Sequence, residues 1–281
     1  MKKSFLVVFA MALTSCVCAQ SNDIAKYDPN MAIDNAIVTN GVKWIDGKYL
    51  PIEGKAFTDV DHFYDRLPKN VTTNVNRGVR AMKHFTAGMQ ARFSTTSKKL
   101  QIKWVPYDKK LAMNHMPATG VSGVDVYVRK PGKTWRYAKT GRISDAKGSA
   151  VTVDLWGGFN EVIINFPLYN GLKSLKIGID EKATLSALPP RASGVNKPVV
   201  FYGTSITQGG CASRPGNAYT SVLSRALQAD HINLGFSGNA KGEDAIAQYI
   251  KDLDMSVFVY DYDYNAPNVE YLRNTHYPLY E

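Results

Sequence analysis

The chain of 281 residues is long enough for two ordinary domains, and its 44% hydrophobic and 21% charged residues are the balance of a folded protein. Its formal charge of +10 raises nucleic acid as a partner. However, Lys and Arg are spread thinly, no basic run reaches a binding tail and no nucleic-acid module is recognisable, so that class is set aside.

The first element in chain order is a targeting segment. Lys2 and Lys3 precede an apolar stretch at residues 5–13, too short to span a bilayer and of the size of a signal-peptide core. "VCA" before Gln20 fits cleavage after Ala19, a signal peptide over residues 1–19, while "LTSC" resembles a bacterial lipobox with Cys16 as the lipidated residue. Either exit predicts an exported protein, periplasmic or extracellular. Cys16 and Cys18 lie in this segment, so cleavage after Ala19 leaves Cys211 alone and no intramolecular disulfide.

Short β-patterned runs then recur with turns between them: "KLQIKWV", "GVDVYVRK", "TWRYAKT", "AVTVDLW", "NEVIINF" and "SLKIGI". Their alternation of apolar and polar positions predicts half-buried antiparallel strands, and residues 25–182 read as a β-sandwich domain. Residues 183–197, with Pro189 and Pro190 paired, read as a linker. From 198 to 281 the pattern changes. "VVFYG", "HINLGF" and "MSVFVYDY" are continuous apolar runs, separated by the helical spacings of "NAYTSVLSRALQ" and "EDAIAQYIKDL". Strands alternating with helices predict a parallel sheet in an α/β domain, which binds ligands at the carboxyl ends of its strands.

Three segments fall at those ends: "GTSITQG", "GFSGNAKGE" and "DYDYNAP". Ser205 sits on the first turn, where its hydroxyl can act as a nucleophile and its own N–H can face an oxyanion. Gly238 offers a second N–H and Asn265 a side-chain amide. Donors converging near a serine are the parts of an oxyanion hole. Taken singly, each has a plainer reading as a turn residue. Neither phosphate-loop pattern is present, and "DYDYNA" lacks the Gly and the Glu of a calcium loop.

On these residues the chain resembles the SGNH or GDSL hydrolases. "YGTSITQGG" is similar to their first block, with Thr204 where the name-pattern has Asp. "NLGFSGNAKGE" is similar to the second, through Gly238. "DYDYN" aligns with the third through Asn265, although Asp263 and Ala266 replace a Gly and an Asp. "GVDVYVRK" at residues 123–130 is similar to the G-x-D-L-Y motif of the β-rich domain that precedes the hydrolase domain in one branch. The resemblance implies a flavodoxin-like three-layer α/β domain of SGNH type and hydrolysis of an O-acyl ester, acetyl on a glycan being one candidate. It implies a seryl acyl-enzyme and no metal or organic cofactor.

The family's remaining block, Asp-x-x-His, supplies the base and its orienting carboxylate, and the sequence carries no such pair after Asn265. The α/β domain therefore reads as C-terminally incomplete, and the 281-residue chain is expected to be weak or inactive alone. Of the five histidines, His231 starts a strand about 15–20 Å from the catalytic edge. His276 lies in a polar stretch, and His62 and His84 have no constellation around them. His115, in the Met-flanked "LAMNHMPATGVSG", is the candidate for a substrate-side role, on a β-domain segment that packs over the cleft. The competing class is a non-catalytic carbohydrate binder, with Trp104, Trp135, Tyr137 and Trp156 as sugar-stacking candidates that strand spacing otherwise assigns to the core.

Overall fold

The computed structural model describes residues 36–191 and 193–281; the expected signal peptide and Cys16 lie outside these residues. The chain opens with β1 (Ile37–Thr39), β2 (Val42–Asp46) and β3 (Ile52–Glu53), then helix α1 (Arg77–Met82). β4 (Gln90–Thr95), β5 (Lys99–Pro106), the one-turn α2 (Ala118–Val121), β6 (Val124–Arg129) and β7 (Arg136–Gly141) follow. β8 (Ser149–Asp154), β9 (Asn160–Asn165), β10 (Leu172–Asp180) and β11 (Leu185–Ala187) complete the β-rich part. One sheet runs β1-β2-β10-β5-β8, the other β11-β4-β9-β6-β7 with β3 on β4, so the six runs read from the sequence are β5 to β10 of a sandwich.

Alternation explains β5, where Leu100, Ile102 and Trp104 point into the core while Lys99 and Lys103 stay out. Beside them in the same sheet Leu175 and Ile177, and in the other sheet Val126, Val162 and Ile164, are fully buried; a completely buried aliphatic side chain is worth about 1.5–3 kcal/mol. Alternation fails for β4 and β9, buried at every position, and nearly so for β6. These middle strands have no solvent face, because the second face of their sheet carries the α/β part of the chain, while β7 at its edge stays largely exposed.

Two stretches behave differently from their reading. Within the expected linker, β11 pairs with β4 and sets Leu185 into the core, and Arg191 is ion-paired with Glu53. Pro189 and Pro190, which donate no ladder hydrogen bond, come only after this strand. Within the expected sandwich stretch, Leu67, Val75, Val79 and Met82 are buried instead with Val200, Tyr202, Leu234 and Phe236 of the α/β part.

That part holds β12 (Val199–Gly203), α3 (Ser205–Gln208), α4 (Tyr219–Leu227), β13 (His231–Gly235), α5 (Asp244–Ile250), β14 (Val257–Asp261) and α6 (Val269–Tyr280). The sheet is parallel in the order β13-β12-β14. The chain leaves β12 for one side, then crosses to the other, and the crevice beyond such a reversal is where these sheets bind ligands. α6 replaces the polar stretch expected around His276. Asn268 caps it by accepting from the Tyr271 N–H at 2.8 Å, and Leu279 is buried against the core. No described helix is long and apolar enough to cross a membrane.

His231, at the start of β13, is buried to 1% exposure and neither ring nitrogen has a hydrogen-bond partner. Burial, with Arg191 and Arg225 nearby, pulls its pKa down to about 3. The unfolded chain takes up a proton near pH 6.5 that the folded chain refuses, so this contribution to stability is intact above pH 6.5 and is lost as pH falls towards 3. His231→Leu, close in volume, is expected to remove about 2 kcal/mol of the stability lost between pH 7 and pH 5. Urea midpoints of both proteins at the two pH values check this; equal losses would clear the imidazole. Asp230 next to it, raised by burial and by Glu53, titrates in both proteins and cancels.

Candidate active site

The three strand ends are level. Gly203 is the register partner of Gly235 on one side and of Asp261 on the other. Ser205, Gly238 and Asn265 follow these partners by two, three and four residues, so all three leave the same sheet edge. Ser205 is the first residue of α3. Thr204 before it is buried and caps the helix, its hydroxyl accepting from the Ile206 N–H at 3.2 Å. A threonine does here what the Asp of the GDSL pattern can also do, since both are good N-caps.

Two glycines let α3 lie directly on the sheet edge. A Cβ on Gly203 would fall 2.3 Å from Thr207 Oγ1, and one on Gly235 would fall 2.2 Å from the Gln208 backbone nitrogen. Gln208 then ties the neighbouring loop, its Oε1 accepting from the Ser237 N–H at 2.9 Å. Gly238 follows at φ +68, in the left-handed region, with open space where a Cβ would point. Among the described residues neither the Ser205 nor the Gly238 N–H has an acceptor. Asn265, on a single 3-10 turn (Asp263–Asn265), donates one Nδ2 hydrogen to the Phe236 carbonyl at 3.4 Å, which joins the β14 loop to the β13 loop and leaves its other hydrogen free. Burial, and next to it Asp263 two residues on, raise the Asp261 carboxyl above its ordinary value.

The sandwich holds α3 from the other side. Tyr169 donates its hydroxyl to the Ser205 carbonyl at 3.1 Å, and Gln208 Nε2 donates to the Leu168 carbonyl at 3.1 Å. The loop after α3 is held by the stretch at residues 123–127. Asp125 is fully buried and accepts from the Gly216 N–H at 2.9 Å and from Asn165 Nδ2 at 2.9 Å, with Arg214 Nε 3.3 Å away. Burial pushes its carboxyl up to about 6, and these donors oppose the rise. Tyr127 lies under the Arg225 guanidinium, 3.9 Å from ring centroid to Cζ.

A cavity of about 240 Å³ opens at this junction, lined by Met82, Phe85, Met113, Val121, Tyr169 and Ser237, with Asp108 and Lys110 as its polar members. It joins three parts of the chain: the segment between β3 and β4, the sandwich loops and the loop that carries Gly238.

Two family models cover the described chain. Residues 42–185 match the GxDLY N-terminal region of SGNH hydrolase-type esterases, and residues 196–278 match the GDSL-like lipase/acylhydrolase family. The chain belongs to the SGNH hydrolase-type esterases. It is thus an esterase-type serine hydrolase by resemblance, with a β-rich region followed by an α/β domain, as the sequence predicts.

A GDSL-like lipase from Bacteroides ovatus is similar in structure, with a TM-score of 0.77 and 28% identity over 85% of this chain and 69% of its own. A salicylyl-acyltransferase from a tetracycline biosynthetic pathway shares the fold with a TM-score of 0.63 and 20% identity, over 81% of this chain and 64% of its own. No curated protein matches the chain.

For this SGNH hydrolase the structure places the five histidines apart from the serine hydroxyl: among the described residues none is hydrogen-bonded to Ser205 Oγ. His231 sits at the opposite end of its strand from Gly235. His276 packs on Tyr260 and Tyr262, with ring centroids 4.5 and 5.7 Å apart. His115 is an exposed residue of the turn closed by the Met113–Met116 bridge. Its neighbours do the packing: Met113 lines the cavity, Met116 is buried, and Thr119 Oγ1 donates to the Ser213 carbonyl at 2.6 Å. His62 and His84 do have a constellation around them, contrary to the reading above: Asp65 lies between them, and their separation of 22 positions hid it. Tyr169, Gln208 and Arg66 were also missed. A buried polar side chain in a loop leaves no periodic signal, and only its hydrogen bonds reveal it.

Proposed function

We propose that this protein is an exported serine esterase that removes short O-acyl groups, acetyl foremost, from a glycan or other polyol, with Ser205 as nucleophile. The observation that carries the reading is the level edge: Ser205 at the start of α3, with Gly238 and Asn265 leaving the same sheet edge and, among the described residues, the Ser205 and Gly238 N–H groups without acceptors. Ser205 Oγ adds to the ester carbonyl as its proton passes to a base. The carbonyl oxygen becomes an oxyanion facing the three donors. The alcohol leaves with a proton, and water then splits the acyl-enzyme to acid and free serine. The family resemblance assigns the base to an Asp-x-x-His histidine.

The cavity supports a short acyl group, since about 240 Å³ lined by Met82, Phe85, Met113 and Val121 suits a few carbons. Export rests on Lys2, Lys3 and the apolar core behind them, and the glycan on the exposed rings of Tyr137, Trp156 and Phe159 on the sandwich. His115 keeps a substrate-side role in this reading because its turn is anchored by the cavity residue Met113.

p-Nitrophenyl acetate is expected to be cleaved at least about 10-fold faster, in kcat/KM, than p-nitrophenyl octanoate, the scale of one to two methylenes of misfit in a filled pocket. In the chain followed by a segment bearing Asp-x-x-His, a fluorophosphonate probe is expected to label Ser205, read by peptide mass spectrometry. A preference for octanoate would overturn the short-acyl reading, and labelling elsewhere would overturn the nucleophile. The second reading, a carbohydrate binder, is favoured by the absence of a described histidine at Ser205 Oγ. It predicts glycan binding unchanged by Ser205→Ala and no labelling.

A further inference from the structure

Away from the strand-end site, His62, Asp65 and His84 bring one possible ligand atom each to within 4.8 Å of one another. His84 Nδ1 is 2.8 Å from Asp65 Oδ1, and His62 Nδ1 is 3.6 Å from Asp65 Oδ2. A tetrahedral zinc ion bound at about 2.0–2.2 Å holds its ligand atoms about 3.3–3.5 Å apart. The two histidine–carboxylate distances, to different oxygens of Asp65, lie on either side of that value and all three ligand atoms fall within 4.8 Å, so side-chain rotations of about 1 Å bring them to one ion.

The three groups are held in place before any ion arrives. Asp65 has a side-chain exposure of 2% and also accepts from the His62 N–H at 3.2 Å. The His84 ring stacks on Tyr107 with centroids 4.4 Å apart, and the His62 ring meets both of them edge-on. His62, with half its side chain exposed, keeps one side open to solvent, which provides both an entry path and room for a water ligand. The next carboxylate, Asp61, is taken by Lys83, and Lys55 lies over the Phe63 ring, 4.0 Å from its centroid, within the field of Asp65. Two imidazoles and one carboxylate suit zinc and its transition-metal neighbours and do not suit magnesium or calcium, which take oxygen shells.

We propose that His62, Asp65 and His84 form a three-ligand site for a zinc-class divalent cation that ties the turn at residues 62–65 to the turn at residues 83–85. None of the three lines the cavity, but Met82 and Phe85, which flank residues 83–84, do. The ion is therefore structural: it braces the cavity wall from behind and takes no part in acyl transfer.

The test uses tag-free protein stripped with EDTA, desalted and titrated with ZnCl2. One zinc per chain is expected to be retained through gel filtration, with Tm raised by about 5 °C or more at 100 times Kd. Losing an outer-shell partner alone costs metal sites about 10–100-fold, so His62→Gln and His84→Gln are each expected to weaken zinc binding by about 100-fold or more. His115→Gln should bind as the parent does, and MgCl2 should not move Tm. Asp65→Asn is a poorer probe because Asp65 also holds the backbone of its own turn, whereas His62 is exposed and its replacement leaves the fold intact. No retained zinc, or zinc binding equal in the parent and in both His62→Gln and His84→Gln, would overturn the proposal.

Discussion

Hydrolysis of p-nitrophenyl acetate is expected to rise by about 10³-fold or more when the 281-residue chain is followed by a segment bearing Asp-x-x-His, and to fall back by as much on Ser205→Ala in that longer protein. The reasoning starts from the proton. A serine hydroxyl must lose it while attacking, and among the described residues no histidine nitrogen is bonded to Ser205 Oγ. The oxyanion donors still act without a base, and such donors with binding alone leave about 10³-fold over water, so a faint rate in the 281-residue chain is expected as well. Initial rates of the two proteins and their Ser205→Ala forms decide it. A 281-residue chain as fast as the longer one would place the base among the histidines already present, and separate replacement of His115 and His276 would identify it.

Arg66→Met is expected to cost about 3 kcal/mol of stability, seen as a Tm drop of about 6–12 °C for a chain of this size. The Arg66 guanidinium is buried against the Phe236 ring and donates to the carbonyls of Asn233 at 3.0 Å, Gly235 at 2.9 Å and Met82 at 3.1 Å. Burial without a carboxylate partner pulls its pKa down to about 9, so removing the charge returns some of its desolvation cost. Leaving carbonyls without donors outweighs this, at about 1–3 kcal/mol each. Because Gly235 leads into the turn that carries Gly238, esterase activity of the longer protein is expected to fall with stability. Arg66→Lys should recover part of both, since an ammonium reaches fewer of the three oxygens than a planar fork does. An unchanged Tm for Arg66→Met would mean that water replaces the guanidinium at those oxygens.

What the sequence revealed follows from how each element is buried. β5, β8 and β10 have one wet face, so their apolar residues alternate and the strands were legible. β12 to β14 lie in a parallel sheet and showed as continuous runs between helical spacings. β4 was missed because its buried positions include Gln90, Arg92, Ser94 and Thr95, polar groups paired across the sheet and with Glu53 and Thr184. Leu67, Val75 and Val79 were not recognised as core because irregular backbone and the six-residue α1 carry them against the parallel sheet, too short a run for a period to show. Ser205, Gly238 and Asn265 could be singled out as candidates because strand ends can be counted. Asp125 was noticed as part of a motif, yet its partner Gly216, 91 positions on, is visible only in three dimensions.

The contacts that tie the serine corner to the β-rich part and the segment within it all reach back in the chain: Gly216 to Asp125, Ser205 to Tyr169, Gln208 to Leu168, and Asn233 with Gly235 to Arg66. On the ribosome, where the N-terminal part of a chain is made and folds first, each anchor exists before the residue it will hold. The sandwich is then a mould already set when "YGTSITQGG" emerges, and the corner has one surface to settle against instead of a search to perform. A circular permutant that delivers β12 to β14 first would reverse this order while keeping every contact, and its refolding yield compared with its final stability would show how much of the assembly depends on the sequence of arrival.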